Sequence, residues 1–337
     1  MNLVRAELER LGARRFVQLM LVLLVLAFGV TAATTLAGSH RPTVQELSDA
    51  RANAAEARRH MDEMYQRCVD RVNGNLPPEA EEEYFPVDCN ELDPVRQERL
   101  PVATDFLPGV FVFAQQARPL LYFLVAFLVL FGFLVGASYI GADLNSGGVV
   151  NLLLWRPQRL AVLGTKLGTL LGAVLGLSLL ASAAYLAAFW LIGQAAGFPG
   201  RLDGEFWRGL GAVHGRGLVL VLLAAALAFA LATLGRHTSA ALGTVAAYAV
   251  VWELGARLVL EIVDAPRPDR FMLSSHVGAW LTGRAEFWDG QACGDSGAGF
   301  CDGFYTLTWG PALAVLLALT AVLGVAAFVA FRRRDLI

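Results

Sequence analysis

Apolar residues run in six stretches along the chain, over residues 16–37, 120–140, 160–192, 213–234, 240–263 and 309–331. Each is about as long as the 20 or so residues that carry an α-helix across the hydrocarbon of a bilayer. None shows the every-second-residue alternation of a membrane strand, and a helix satisfies its backbone groups internally where water cannot. The pattern predicts an all-α polytopic membrane protein with six transmembrane helices. A hydrophobic content of 56% and a mean hydropathy of +0.54 fit that class and exclude an ordinary soluble domain.

The polar stretches between the runs set the orientation, because short segments rich in Lys and Arg stay on the cytoplasmic side whereas long ones translocate whatever their charge. Arg5, Arg10, Arg14 and Arg15 precede the first run, Arg156, Arg159 and Lys166 lie between the second and third, Arg236 follows the fourth, and Arg332, Arg333 and Arg334 follow the last. Segments 1–15, 141–159, 235–239 and 332–337 are therefore expected in the cytoplasm, with both termini. Segments 38–119, 193–212 and 264–308 are expected outside. The first run is longer than the roughly 7–15 apolar residues of a signal peptide, and Thr35, Leu36 and Ala37 make a poor cleavage site, so an uncleaved anchor is expected. Ahead of it, Leu3, Val4, Leu8 and Leu11 fall near one helical face, with Arg5, Glu9 and Arg10 largely elsewhere. That pattern fits an interfacial helix or a basic flank that only sets orientation.

The two longer outer segments, after helices 1 and 5, differ in character. From 43 to 72, Leu47, Ala50, Ala54, Met61, Met64, Cys68 and Val72 recur at helical spacing in an Ala-, Arg- and Glu-rich stretch, predicting a solvent-facing helix. The acidic stretch 79–93 reads as a solvated loop. Segment 264–308 holds Phe271, Trp280, Phe287, Trp288, Phe300, Phe304, Tyr305 and Trp309, aromatic rings suited to a membrane interface and expected to cap the outer mouth. All four cysteines, Cys68, Cys89, Cys293 and Cys301, lie in these segments. That distribution predicts disulfides in an oxidising compartment, with the local pairs Cys68–Cys89 and Cys293–Cys301 preferred among three connectivities. Neither pair has C-x-x-C spacing and His60 and His276 stand alone, so no metal site is expected.

Gly294, Asp295, Ser296 and Gly297 spell the string found around a serine-protease nucleophile. A short loop between membrane helices cannot supply the histidine base and orienting aspartate, and no H-E-x-x-H metalloprotease arrangement occurs. No catalytic residues are expected. A net charge of −2 without a basic, aromatic-interleaved patch also argues against a nucleic-acid partner.

Within the membrane, Gly164, Gly168, Gly172 and Gly176 recur every four residues, as do Gly132 and Gly136. Such rows let helix backbones approach closely, and packing within one subunit is the default expectation. Glu253, Arg257 and Glu261 stand at i, i+4 and i+8 on the fifth run, where uncompensated charge costs about 2.5–3.5 kcal/mol at a helix centre. A Glu four residues before an Arg favours an intrahelical pair. The trio either lines a translocation path or forms a salt-bridged stripe between helices.

The polar hinge 141–166 (GADLNSGGVVNLLLWRPQRLAVLGTK) separates two runs on the expected cytoplasmic side. Asp143 follows the second run, Gly147 and Gly148 break the helix, residues 149–154 suit a short apolar helix, and Trp155, Arg156, Pro157, Gln158 and Arg159 make a basic turn before Lys166, the chain's one lysine. In this order the hinge resembles the first cytoplasmic loop of the permease subunit of ABC-2 type ATP-binding-cassette exporters. Asp143, Gly148, Leu152, Leu153, Leu154, Arg156, Pro157, Arg159 and Lys166 match that family's pattern in sequence. Asp143 stands where Glu is commoner, Val149 where a hydroxyl residue is usual, and the Pro157 to Arg159 step is one residue shorter. The basic N-terminal segment and the ending FRRRDL extend the likeness over the membrane portion.

The resemblance implies that this loop, Trp155 included, couples to an ATPase. The chain itself has no Walker A element, since Lys166 follows Thr165 and precedes Leu167. ATP and Mg would therefore be bound by two partner nucleotide-binding subunits, and this chain would need no cofactor of its own. A second permease subunit, identical or related, and membrane lipids complete the expected partners. The implied function is outward movement of a hydrophobic or amphipathic cargo across a bacterial plasma membrane. The alternative is a membrane accessory or sensor protein whose disulfide-stapled exterior binds a ligand or partner.

Overall fold

The computed structural model describes residues 3–75, 89–96, 100–146, 158–263, 265–289 and 303–333. Its helices are α1 (Leu3–Gly12), α2 (Arg15–Ala37), α3 (Val44–Val72), α4 (Phe113–Asn145), α5 (Arg159–Ala196), α6 (Gly204–Gly235), α7 (Thr238–Tyr248), α8 (Arg257–Ile262), α9 (Leu273–Thr282) and α10 (Trp309–Arg333). A hairpin of β1 (Arg284–Trp288) and β2 (Phe304–Thr308) completes them. Among the described residues five helices, α2, α4, α5, α6 and α10, are long and apolar enough to cross a membrane. The chain is a multi-pass, predominantly helical membrane protein.

The expected fifth crossing, 240–263, departs from a plain α-helix. It runs as α7, a π-helical turn at Ala249–Ala256, and α8 in unbroken succession. The π turn brings residues five apart together, and Tyr248 Oη donates to Glu253 Oε1 at 2.8 Å across that spacing. Glu253 also accepts from Ser274 N at 3.0 Å and Ser274 Oγ at 2.6 Å, so its carboxylate is turned towards α9. The intrahelical pair expected between Glu253 and Arg257 does not form. Arg257 pairs with Glu261 at 3.0 Å and Asp269 at 3.5 Å instead.

The chain divides into two compact units. The first comprises residues 1–31, 117–187 and 203–337. Its core lies along α4 and α6, half of whose most apolar windows is buried, against 11% for α2 and 17% for α10. Glycine permits that core. A Cβ added at Gly136 would lie 2.6 Å from the Ala225 carbonyl oxygen, and one at Gly132 would lie 3.2 Å from that of Val221. The row on α5 behaves differently: at Gly164, Gly168, Gly172 and Gly176 a Cβ would meet nothing within 4 Å among the described residues, so within these the four pack against no other helix.

At the end of this unit away from Arg332 and Arg333, α6, α9, β2 and α10 meet over Leu220, Ala279, Trp280, Leu307, Ala312 and Leu316. Trp280 Nε1 donates to Arg216 O at 2.9 Å. The hairpin registers Phe287 with Tyr305 and Trp288 with Phe304, giving the aromatic-rich segment a strand pair that the apolar pattern did not predict. The Tyr305 ring lies under Arg267 and Arg270, and burial raises its phenol to about 12.

The second unit comprises residues 32–116 and 188–202. Thr43 caps α3 as expected of a Thr-x-x-Glu start: its hydroxyl accepts from Glu46 N at 3.2 Å and Glu46 returns the bond to Thr43 N at 2.6 Å. That backbone bond, aided by His40, holds the Glu46 carboxyl below its ordinary range. Ala50, Ala54 and Cys68 form the buried face of α3, while Val72 is exposed. Cys68 is joined to Cys89 in a disulfide, the first of the two expected pairs. Cys293 and Cys301 lie outside the described residues.

Candidate functional site at the ends of α1, α4 and α5

A buried ionic cluster joins α1, the last turn of α4 and the second turn of α5, all within the first unit. The ammonium of Lys166 is 2.8 Å from Glu7 Oε2 and 2.8 Å from Asp143 Oδ2. Asp143 presents its other oxygen, Oδ1, to Arg14 Nη2, whose second amino group donates to the Ser138 carbonyl at 3.1 Å. Tyr139 Oη donates to Glu7 Oε2, and the Tyr139 ring carries the Lys166 ammonium 5.0 Å and the Arg14 guanidinium 5.1 Å from its centroid. Arg10 approaches Glu7 at 3.7 Å from the exposed side.

Two carboxylates face Lys166 and Arg14 inside the cluster and Arg10 at its exposed edge, so each acid meets at least one base and a second donor. Such pairing is what lets charge persist away from water. The Glu7 and Lys166 side chains are each only 2% exposed, so removing Lys166 leaves Glu7 buried with Arg10, 3.7 Å away, as its remaining counter-charge. The geometry locks three helix ends to one another. No group of three or more His, Cys, Asp or Glu able to hold a metal occurs among the described residues.

The cluster was half legible. Asp143 and Lys166 belong to the hinge pattern, and the structure brings them together across the loop that separates them. Glu7 was missed. On α1 the buried residues are Glu7 and Leu11, while Leu8 is 43% exposed, and Arg14 joins the cluster from the turn between α1 and α2. Glu7 and Leu11 stand at i and i+4 on one face of α1, so the signal was a charge beside an apolar position rather than an apolar row.

Of the hinge residues, Arg159 opens α5, while Gly148, Leu152, Leu153, Leu154, Trp155, Arg156 and Pro157 lie outside the described residues. Glu253 sits in the π turn, and Arg257 and Glu261 border a recess with Asp269, Ser274 and Trp288.

Helical spans joined by a loop whose two flanking helices are ionically clamped define a class: a polytopic membrane protein with a braced loop between two spans. A family model described as an ABC-2 family transporter protein matches residues 1–336, so the chain belongs to the ABC-2 family of transporter proteins. Neither a curated protein nor a solved structure matches it. Membership makes the chain a membrane permease of an ABC transporter and implies association with an ATP-binding subunit. Permeases of this family are normally non-catalytic.

Proposed function

We propose that the chain is the permease half of an ABC exporter in the bacterial plasma membrane, with both termini cytoplasmic and residues 240–263 serving as the fifth of six crossings. Two ATP-binding subunits would bind ATP and Mg, and a second permease, identical or related, would complete the pathway. The cargo would be hydrophobic or amphipathic, passing near Glu253, Arg257 and Glu261.

One observation carries the mechanism. Residues 147–157 join α4 to α5, and those two helices are bridged by Lys166 and Asp143 while α1 is tied to the same lysine through Glu7. Force delivered to the loop by an ATPase, through Gly148, Leu152–Leu154, Trp155, Arg156 and Pro157, would move α1, α4 and α5 as one body rather than be lost in bending the loop. Charge that is buried and paired on three elements is costly to separate, so the clamp resists dissipation of that force.

The test is Arg156→Glu in the full chain. Loss of ATP-binding-subunit association or of cargo-stimulated hydrolysis, with membrane insertion intact, is the expected result. Unchanged association and hydrolysis would remove the loop as the coupling element and favour the accessory-protein reading.

A further inference from the structure

A half-open apolar cavity of about 250 Å³ lies between α5, α6 and α10, lined by Leu167, Leu223, Phe229, Leu317, Gly324 and Phe328 among others. Its one hydroxyl, that of Thr320, is spent on the Leu316 carbonyl at 2.9 Å. The other described lining residues are apolar, so the wall offers water one hydroxyl acceptor at most. An apolar cavity of roughly 150 Å³ already stays dry and takes up a hydrocarbon. The void has a lateral opening, since Leu317 is 47% exposed and Ala321, also on its wall, is exposed.

Charge says which hydrocarbon. The α10 wall advances through Leu317, Ala321, Gly324 and Phe328, at steps of four, three and four residues. The next step of four is Arg332, one turn or about 6 Å further along the helix. Arg332 and Arg333 are both exposed and end α10. Leu167, two turns into α5, and Ala230, five residues before the end of α6, line the same cavity, so it sits in the arginine-rich half of the bundle. A dry slot open along its side at Leu317 and Ala321, with Arg332 one turn beyond Phe328 at its other end and Arg333 next to it in the chain, matches a fatty acyl chain lying along α10 with an anionic headgroup at the arginine end.

We propose that this cavity is a binding site for one acyl chain of an anionic phospholipid of the inner leaflet, whose phosphate is held by Arg332 and Arg333. The inference rests on the orientation given under the proposed function, and not on the coupling loop or the cargo. A resident lipid there wedges α10 against α6 and α5.

The experiment uses the detergent-purified full chain and a phosphatidylglycerol carrying a diazirine midway along one acyl chain. Photolabel should map to peptides covering 223–230 and 317–328, and be displaced by unlabelled phosphatidylglycerol but not by phosphatidylcholine. Gly324→Leu and Ala226→Leu, which fill the slot, should each cut labelling about tenfold, the expected effect of excluding roughly two methylenes. Arg332→Gln with Arg333→Gln, which leaves the lining untouched, should abolish the preference for phosphatidylglycerol. Labelling spread over all helices, indifference to both filling variants, or equal displacement by phosphatidylcholine would each overturn the proposal. Because the readout needs neither ATP nor a partner subunit, its failure leaves the permease reading standing, and loss of coupling in Arg156→Glu says nothing against the lipid site.

Discussion

Lys166 Nζ lies 2.8 Å from Glu7 Oε2, joining two side chains 159 residues apart that are almost completely shielded from solvent. The chain's one lysine therefore meets a carboxylate from its first helix. Breaking a buried pair by removing one partner costs about 3–5 kcal/mol, whereas removing both charges is close to neutral. Lys166→Met alone is expected to lose that amount, measured by thermal unfolding in detergent. Adding Glu7→Gln should restore most of it, because Asp143 and Arg14 still neutralise one another. A double variant no more stable than Lys166→Met would mean that the pair is not the unit of stabilisation.

Glycines on α4 and α5 should respond oppositely to alanine. At Gly136 the new Cβ would lie 2.6 Å from a backbone oxygen, and such overpacking costs about 1–3 kcal/mol. At Gly168 nothing opposes it, and exchanging Gly for Ala in a helix interior gains about 1 kcal/mol. Melting temperatures of Gly136→Ala and Gly168→Ala should fall on opposite sides of the parent. A marked loss at Gly168 would show that its face is covered by another chain.

The Cys68–Cys89 disulfide closes a loop between positions 21 residues apart. Loop-entropy estimates put such a staple near 3 kcal/mol. Non-reducing peptide mapping should recover the cross-linked pair, and Cys68→Ser with Cys89→Ser should make residues 44–72 exchange amide hydrogens faster without changing exchange in α4. Free thiols at both positions in protein from cells would contradict the assignment.

Membrane class and most helices were legible because burial in lipid demands long apolar runs, which the chain displays openly. The length of α4 was not, since Phe113 to Arg118 form helix beyond the hydrophobic stretch and Pro119 sits within it. The π turn was hidden because its cause is tertiary: Glu253 is held by Ser274 of α9, a partner no window over the fifth run contains. The β1–β2 hairpin was read only as aromatic interface because its strands are five residues each. At the candidate site, Asp143 and Lys166 were visible as a family pattern. Glu7 was not, because a search for apolar faces passes over a buried face made of paired charges.

The central claim is that α1 and α5 move as one body when ATP is bound. Leu8 and Leu160 are exposed on these two helices, at 43% and 42%, and can carry spin labels without disturbing the cluster. Pulsed electron–electron distance measurement on the full transporter complex should give one Leu8–Leu160 distance, the same in the nucleotide-free and ATP-trapped states. In Glu7→Gln/Lys166→Met the distribution should broaden and shift on ATP binding. A wild-type distance that changes by several ångströms between the two states, on the order of one helical turn, would contradict the clamp and with it the proposed route from loop to membrane.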